Sequence, residues 1–144
     1  MAIITADDIY SRLYEEQVDE ITRDNDALID RAIDSAIQEV KMYMPKYDLL
    51  QLFGTDTIPA TVDDTYLKNI CVDVAVWTLV KLGRPGIDFA IAKEIYDSTK
   101  KTLKEIQTGT ATPDGWPFKN IENTNITNEI NVFASGNKRR STHF

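Results

Sequence analysis

A chain of 144 residues fits one domain, and an apolar fraction of 42% is enough to pack a core. The formal charge of −7 is unevenly placed: residues 110–144 hold four basic and three acidic groups, a net of +1, which leaves −8 on residues 1–109. A body so acidic is excluded as a grip on nucleic acid, where affinity rests on Lys and Arg neutralising phosphates, and it suits solubility and a basic partner.

The opening Met1-Ala2-Ile3-Ile4-Thr5 has neither the basic nor the apolar region of a signal peptide. No apolar run approaches the ~20 residues that span a bilayer, so no membrane association is expected. A cytoplasmic protein is expected, in which Asn125-Ile126-Thr127 is no glycosylation site. Thr5 opens a first short helix, with Asp8 placed to complete a reciprocal capping box and Asp7 and Asp8 matching the positive helix pole. Ile9 and Leu13 are its buried stripe, and it ends near Tyr14. A second short helix over Glu16 to Thr22 buries Val18 and Ile21.

Asp24 or Asp26 is expected to cap a long helix reaching about Met44. Ile29, Ile33, Ala36, Ile37, Val40 and Met44 trace one helical face, and Pro45 stops it. Residues 45–62 read as a loop, but Tyr47, Leu49, Leu50, Leu52 and Phe53 are too many apolar groups to leave in water. This loop should fold over the core or meet another subunit.

Asp63 or Asp64 caps the next helix, which runs to Leu82. Leu67, Ile70, Cys71, Val74, Trp77 and Thr78 line one face, and Val72, Ala75, Val76, Leu79 and Val80 widen it almost all round, which marks a central helix. Cys71, the one cysteine, reads as a small core residue rather than a reactive thiol. Gly83 ends this helix and Pro85-Gly86 makes a turn. A last helix spans about Asp88 to Gln107 with Ile91, Ile95, Thr99, Leu103 and Ile106 as its stripe and Gly109 as its stop.

Residues 110–144 change character. Pro113-Asp114-Gly115-Trp116-Pro117 is a turn with an aromatic anchor, followed by six asparagines and the basic end Lys138-Arg139-Arg140. Such a composition cannot make its own core. Ile126, Ile130 and Val132, with Phe133 beside them, alternate with polar residues as a strand does, and a lone strand needs an edge on a neighbour. The expected organisation is therefore an all-α body of four to five helices over residues 1–109 and an extended arm over residues 110–144.

No catalytic centre stands out. His143, the only histidine, sits next to the C-terminal residue, and no His/Cys cluster has zinc spacing. Asp24-Asn25-Asp26 with Asp30 lacks the Gly and terminal Glu of a calcium loop. Glu15-Glu16 with Asp19-Glu20 and Glu94-x-x-Asp97 have something of the paired magnesium-binding motifs of all-α nucleotide pyrophosphohydrolases, but lie far apart, with Asp19 where a Glu is expected. That enzyme, and a small protein-binding adaptor, are the alternatives to weigh.

The order of segments resembles a known family. Ile4-Thr5 with Asp8-Ile9 begins a short helix. A helix with Ala32-Ile33 and Ala36-Ile37 ends in Tyr43-Met44-Pro45-Lys46-Tyr47. Pro59 precedes a helix with Leu67, Ile70-Cys71 and Asp73-Val74-Ala75, and the last helix ends in Leu103, Ile106 and Gly109. Over residues 3 to about 118 this resembles the tailed-phage proteins of the bacteriophage Mu Gp36 type and, more broadly, head–tail connector adaptors. It departs from them in the leucine-rich loop at 48–58 and the arm beyond Trp116.

The resemblance implies a virion protein, assembled in the host bacterial cytoplasm, that forms a ring beneath the portal. It implies no enzymatic activity and no cofactor or metal. Portal and tail or other head-completion proteins are the implied partners, with self-association into a ring and DNA passing without specific binding. Contacts are then expected from Leu49, Leu50, Leu52 and Phe53 in the loop, from Trp116, Ile126, Ile130, Val132 and Phe133, and from Lys138, Arg139 and Arg140.

Overall fold

The computed structural model describes residues 2–23, 25–82 and 89–120. Within them the chain is all-α, with six helices: α1 (Ala6–Tyr10), α2 (Glu15–Thr22), α3 (Asp26–Met42), α4 (Leu49–Phe53), α5 (Thr65–Leu82) and α6 (Phe89–Thr108). No described helix is long and apolar enough to cross a membrane.

Helix α5 is the axis of the bundle. Nine of its residues are buried, from Leu67 through Val80, on every side of the helix. Each large side chain buried this way contributes about 1.5–3 kcal/mol. Helices α3 and α6 pack along α5, and α1 and α2 close against it. The expected stripe of α3 is buried from Ile29 to Val40. The helix itself stops at Met42, with Tyr43 as its C-cap, and Met44 sits fully buried just beyond.

The caps follow the sequence signals with one correction. The Asp8 carboxylate accepts the Thr5 backbone N–H at 2.7 Å, the returning half of the capping box. Asp64 Oδ1 accepts the Leu67 N–H at 2.8 Å, while Asp63 pairs with Lys68. For α3 the cap is Asn25, whose Oδ1 accepts the Ala27 N–H at 3.1 Å. Asp26 is already the first helical residue, and Asp24 lies outside the described residues. Neighbouring Asp and Asn side chains offer the same acceptor, and the point where the extended backbone turns helical decides which is used.

The apolar stretch at 45–62 folds over the core, as expected, but contains a helix, α4, too short for its periodicity to show. Asp48 caps α4 by accepting the Gln51 N–H, and Leu52 and Phe53 turn inward. Gly54 then reverses the chain with φ +69°, its Cα so close to Ile58–Ala60 that a Cβ would lie 2.6 Å from the Ala60 nitrogen.

The stripe of α6 is buried only in its C-terminal half, at Thr99, Leu103 and Ile106. Ile91 and Ile95 are about half exposed, at 54% and 48%. Gly109, at φ +83°, ends α6 as expected. Gly83, Pro85, Gly86 and Asp88 lie outside the described residues.

After α6 the chain returns to the body. Trp116 is 4% exposed and meets the Tyr47 ring edge-on at 5.7 Å, while Phe118 stacks on Tyr47 at 4.9 Å. Among the described residues the buried Trp116 indole N–H has no acceptor, a cost set against the volume the ring fills. Two changes probe this packing by urea denaturation. Trp116→Ala is expected to lose about 3–5 kcal/mol. Gly54→Ala is expected to lose about 3 kcal/mol or more, because the left-handed backbone and the backbone clash add together.

Candidate functional site

The residues expected to meet partners fall into three groups. Leu52, Phe53 and Trp116 are consumed by the chain's own core. Leu49 is half-buried and Leu50 is exposed on the outer side of α4. Ile126, Ile130, Val132, Phe133, Lys138, Arg139 and Arg140 lie outside the described residues.

The structure does fix where that last segment starts. Tyr47 and Phe118 form an isolated antiparallel bridge, with the Asp48 N–H donating to the Pro117 carbonyl at 2.9 Å and the Lys119 N–H to the Lys46 carbonyl at 2.8 Å. The ladder is short. At one end Pro117 has no N–H, and the Asp48 carbonyl already accepts from Leu52. At the other end the Met44 N–H already donates to the Lys41 carbonyl.

A second feature was not visible from any one segment. Leu13, Val76, Val80, Ala92 and Ile95, with Trp77 and Ile91, line an apolar groove of about 210 Å³ between the turn after α1 and helices α5 and α6. Trp77 forms part of its wall, stacked on Tyr96 at 5.4 Å and tilted against Phe89 at 5.1 Å. The Tyr96 hydroxyl donates to the Glu39 carboxylate, tying α6 to α3 behind the groove. Burial and the Glu39 charge push the Tyr96 phenol well above its ordinary range.

Polar groups gather at the groove's edge. Arg12 Nη1 meets Asp73 Oδ1 at 2.7 Å, and Asp73 Oδ2 accepts a long 3.4 Å contact from the Thr99 hydroxyl. Desolvation by burial raises the Asp73 carboxyl above its ordinary value of 3.8, against the lowering pull of Arg12 and Thr99. The salt bridge thus offsets only part of the cost of burying this carboxylate. The signal was present in the sequence, as one acid within the otherwise apolar Ile70–Val80 run, but its partners lie on other elements.

Cys71 is fully buried and its thiol is pushed up to about 12 by desolvation, as suits a core residue rather than a nucleophile. Among the described residues no three His, Cys, Asp or Glu side chains are gathered as a metal ion would need. The acidic groups Glu15, Glu16, Asp19 and Glu20 lie on α2, and Glu94 and Asp97 on α6.

Comparison with known proteins gives one match. The family model described as Bacteriophage Mu, Gp36 matches residues 4–116. No curated protein and no solved structure matches the chain.

The raised Asp73 carboxyl has a signed consequence for stability. As pH falls through its raised value towards 3.8, the folded state takes up this proton before the unfolded chain does. The wild type should therefore gain stability relative to Asp73→Asn across that window, and lose that gain as pH rises. Chemical denaturation of both proteins at stepped pH measures the difference.

Proposed function

Because the chain belongs to the bacteriophage Mu Gp36 family, and so to the structural proteins of phages, we propose that it is a head–tail connector adaptor. In this reading it forms a ring beneath the portal, joins the capsid to the tail or to other head-completion proteins, and continues the DNA channel. It acts in the virion after assembly in the host bacterial cytoplasm. It acts by binding and not by turnover.

One observation carries the reading. The chain is anchored at residues 116–119 by a buried indole and by the bridge between Tyr47 and Phe118, so residues 120–144 begin from a fixed point on the body. A segment tethered in this way, with Ile126, Ile130, Val132 and Phe133 apolar and Lys138-Arg139-Arg140 basic, has the chemistry of an arm that binds another protein. The body suits a channel wall: its charge of −8 repels phosphate and lets DNA slide, where a basic wall would hold it. Ring subunits contact one another head to tail, and exposed Leu50 and the groove by Ile95 are surfaces available for that.

Truncation after Asn120 tests the role of the arm. The shortened protein should keep its helical circular dichroism and its denaturation midpoint, because the described core ends before the cut. It should no longer co-purify with phage particles, as read by electron microscopy and immunoblotting. Undiminished incorporation would remove the arm from the proposal, and particles lacking the full-length protein would remove the connector reading itself.

A further inference from the structure

We propose that the outer face of α6 at Lys100, Lys101 and Lys104 docks against the outer face of α3 at Asp26, Asp30 and Asp34 of a second copy of this chain. The inference rests on the ring reading above and names the contact by which one subunit holds the next.

Each face is a run of like charge with nothing among the described residues to balance it. Asp26, Asp30 and Asp34 recur every four residues, so they stack one turn apart along α3, and all three are exposed. Lys100 and Lys104 repeat that interval on α6, with Lys101 beside them and no acid between Ser98 and Lys104. Like charges at this interval weaken the helix that carries them. Among the described residues neither set makes an ion pair, and neither does Arg31, the one cation between Asp26 and Gln38. The two faces are opposite in sign and share a repeat of about 6 Å, so each offers what the other lacks.

Position assigns the two faces to different copies. Hydrogen-bonded turns carry the chain from Lys41 through Met44 to Tyr47, and Tyr47 packs on Trp116. Trp116 in turn lines a surface with Tyr66 of α5 and with Thr102 and Ile106 of α6. The C-terminal end of α3 therefore shares one end of the bundle with the lysines. Asp34 and Asp26 precede Met42 by eight and sixteen residues, about 12 and 24 Å along the helix axis. The acidic face thus lies toward the other end, too far away to pair with the lysines of its own subunit. A contact between two unlike patches is heterologous, the kind that repeats around a ring. Nucleic acid is the less suited partner for the lysines, because the charge of −8 on residues 1–109 repels phosphate.

The test uses the full-length chain with charge reversed on one face at a time. One variant carries Lys100→Glu with Lys104→Glu, the other Asp30→Lys with Asp34→Lys, and each is first shown to keep the helical circular dichroism of the wild type. Association is read by sedimentation velocity over a range of protein concentrations in about 50 mM salt, where screening is weak. The wild type is expected to self-associate, and either reversal alone to weaken association roughly tenfold or more. An equimolar mixture of the two variants is expected to recover it, because the reversed α6 of one then meets the reversed α3 of the other. A mixture that does not recover, reversals that leave association unchanged, or a wild type that stays monomeric would each overturn the proposal. So would binding of a short DNA duplex by the wild type that disappears on reversal of the lysines, since they would then serve phosphate. A ring that survives both reversals would keep the connector reading and sink this contact; recovery on mixing, in a protein absent from phage particles, would do the reverse.

Discussion

Enclosing α5 is the constraint on which the rest of the structure depends. Its nine buried residues lie on every side of the helix, so every neighbour has to contribute a covering face. Helix α3 covers one side with the Ile29–Val40 stripe, and α6 another with Thr99, Leu103 and Ile106. The short α1 and α2 cover a third with Ile9, Val18 and Ile21. The one carboxylate inside this wall, Asp73, is held by Arg12 from the α1 side and Thr99 from α6. Three elements thus meet at a group that is costly to bury, and such a junction favours one arrangement of helices over others of similar apolar content.

The same packing explains the groove. Helices α5 and α6 are 18 and 20 residues long, whereas α1 has five. So short an element cannot line a pair of long helices over their full length. The C-terminal half of α5 and the start of α6 keep Val76, Val80 and Ile95 beside a trough. Apolar residues left accessible between helices in this way are the ordinary raw material of docking surfaces.

Charge and anchoring divide the chain into two parts with different work. The body carries the negative charge and the core, and the basic groups at 138–140 follow Trp116, the last buried residue among those described. Trp116, Tyr47 and Phe118 turn what reads as the start of an arm into part of the body, and set the direction in which the chain leaves it. A rigid point of departure lowers the entropy that any binding by the segment beyond it would have to overcome.

Much of this was legible in the residues themselves. The periodicity of α3, the all-round apolarity of α5, the stops at Pro45 and Gly109, and the acidic body are local properties, and local rules of helix geometry and charge suffice to read them. The match to a phage family over residues 4–116 rests on the same order of apolar and small residues. Tertiary structure alone decided the remainder. Leu52, Phe53 and Trp116 look like surface anchors until α4 and the Tyr47 bridge bury them, and Ile95 looks like core yet stays 48% exposed beside the short α1. Burial is a relation between elements distant in sequence, so a pattern along one segment can say which residues seek cover but not which of them find it.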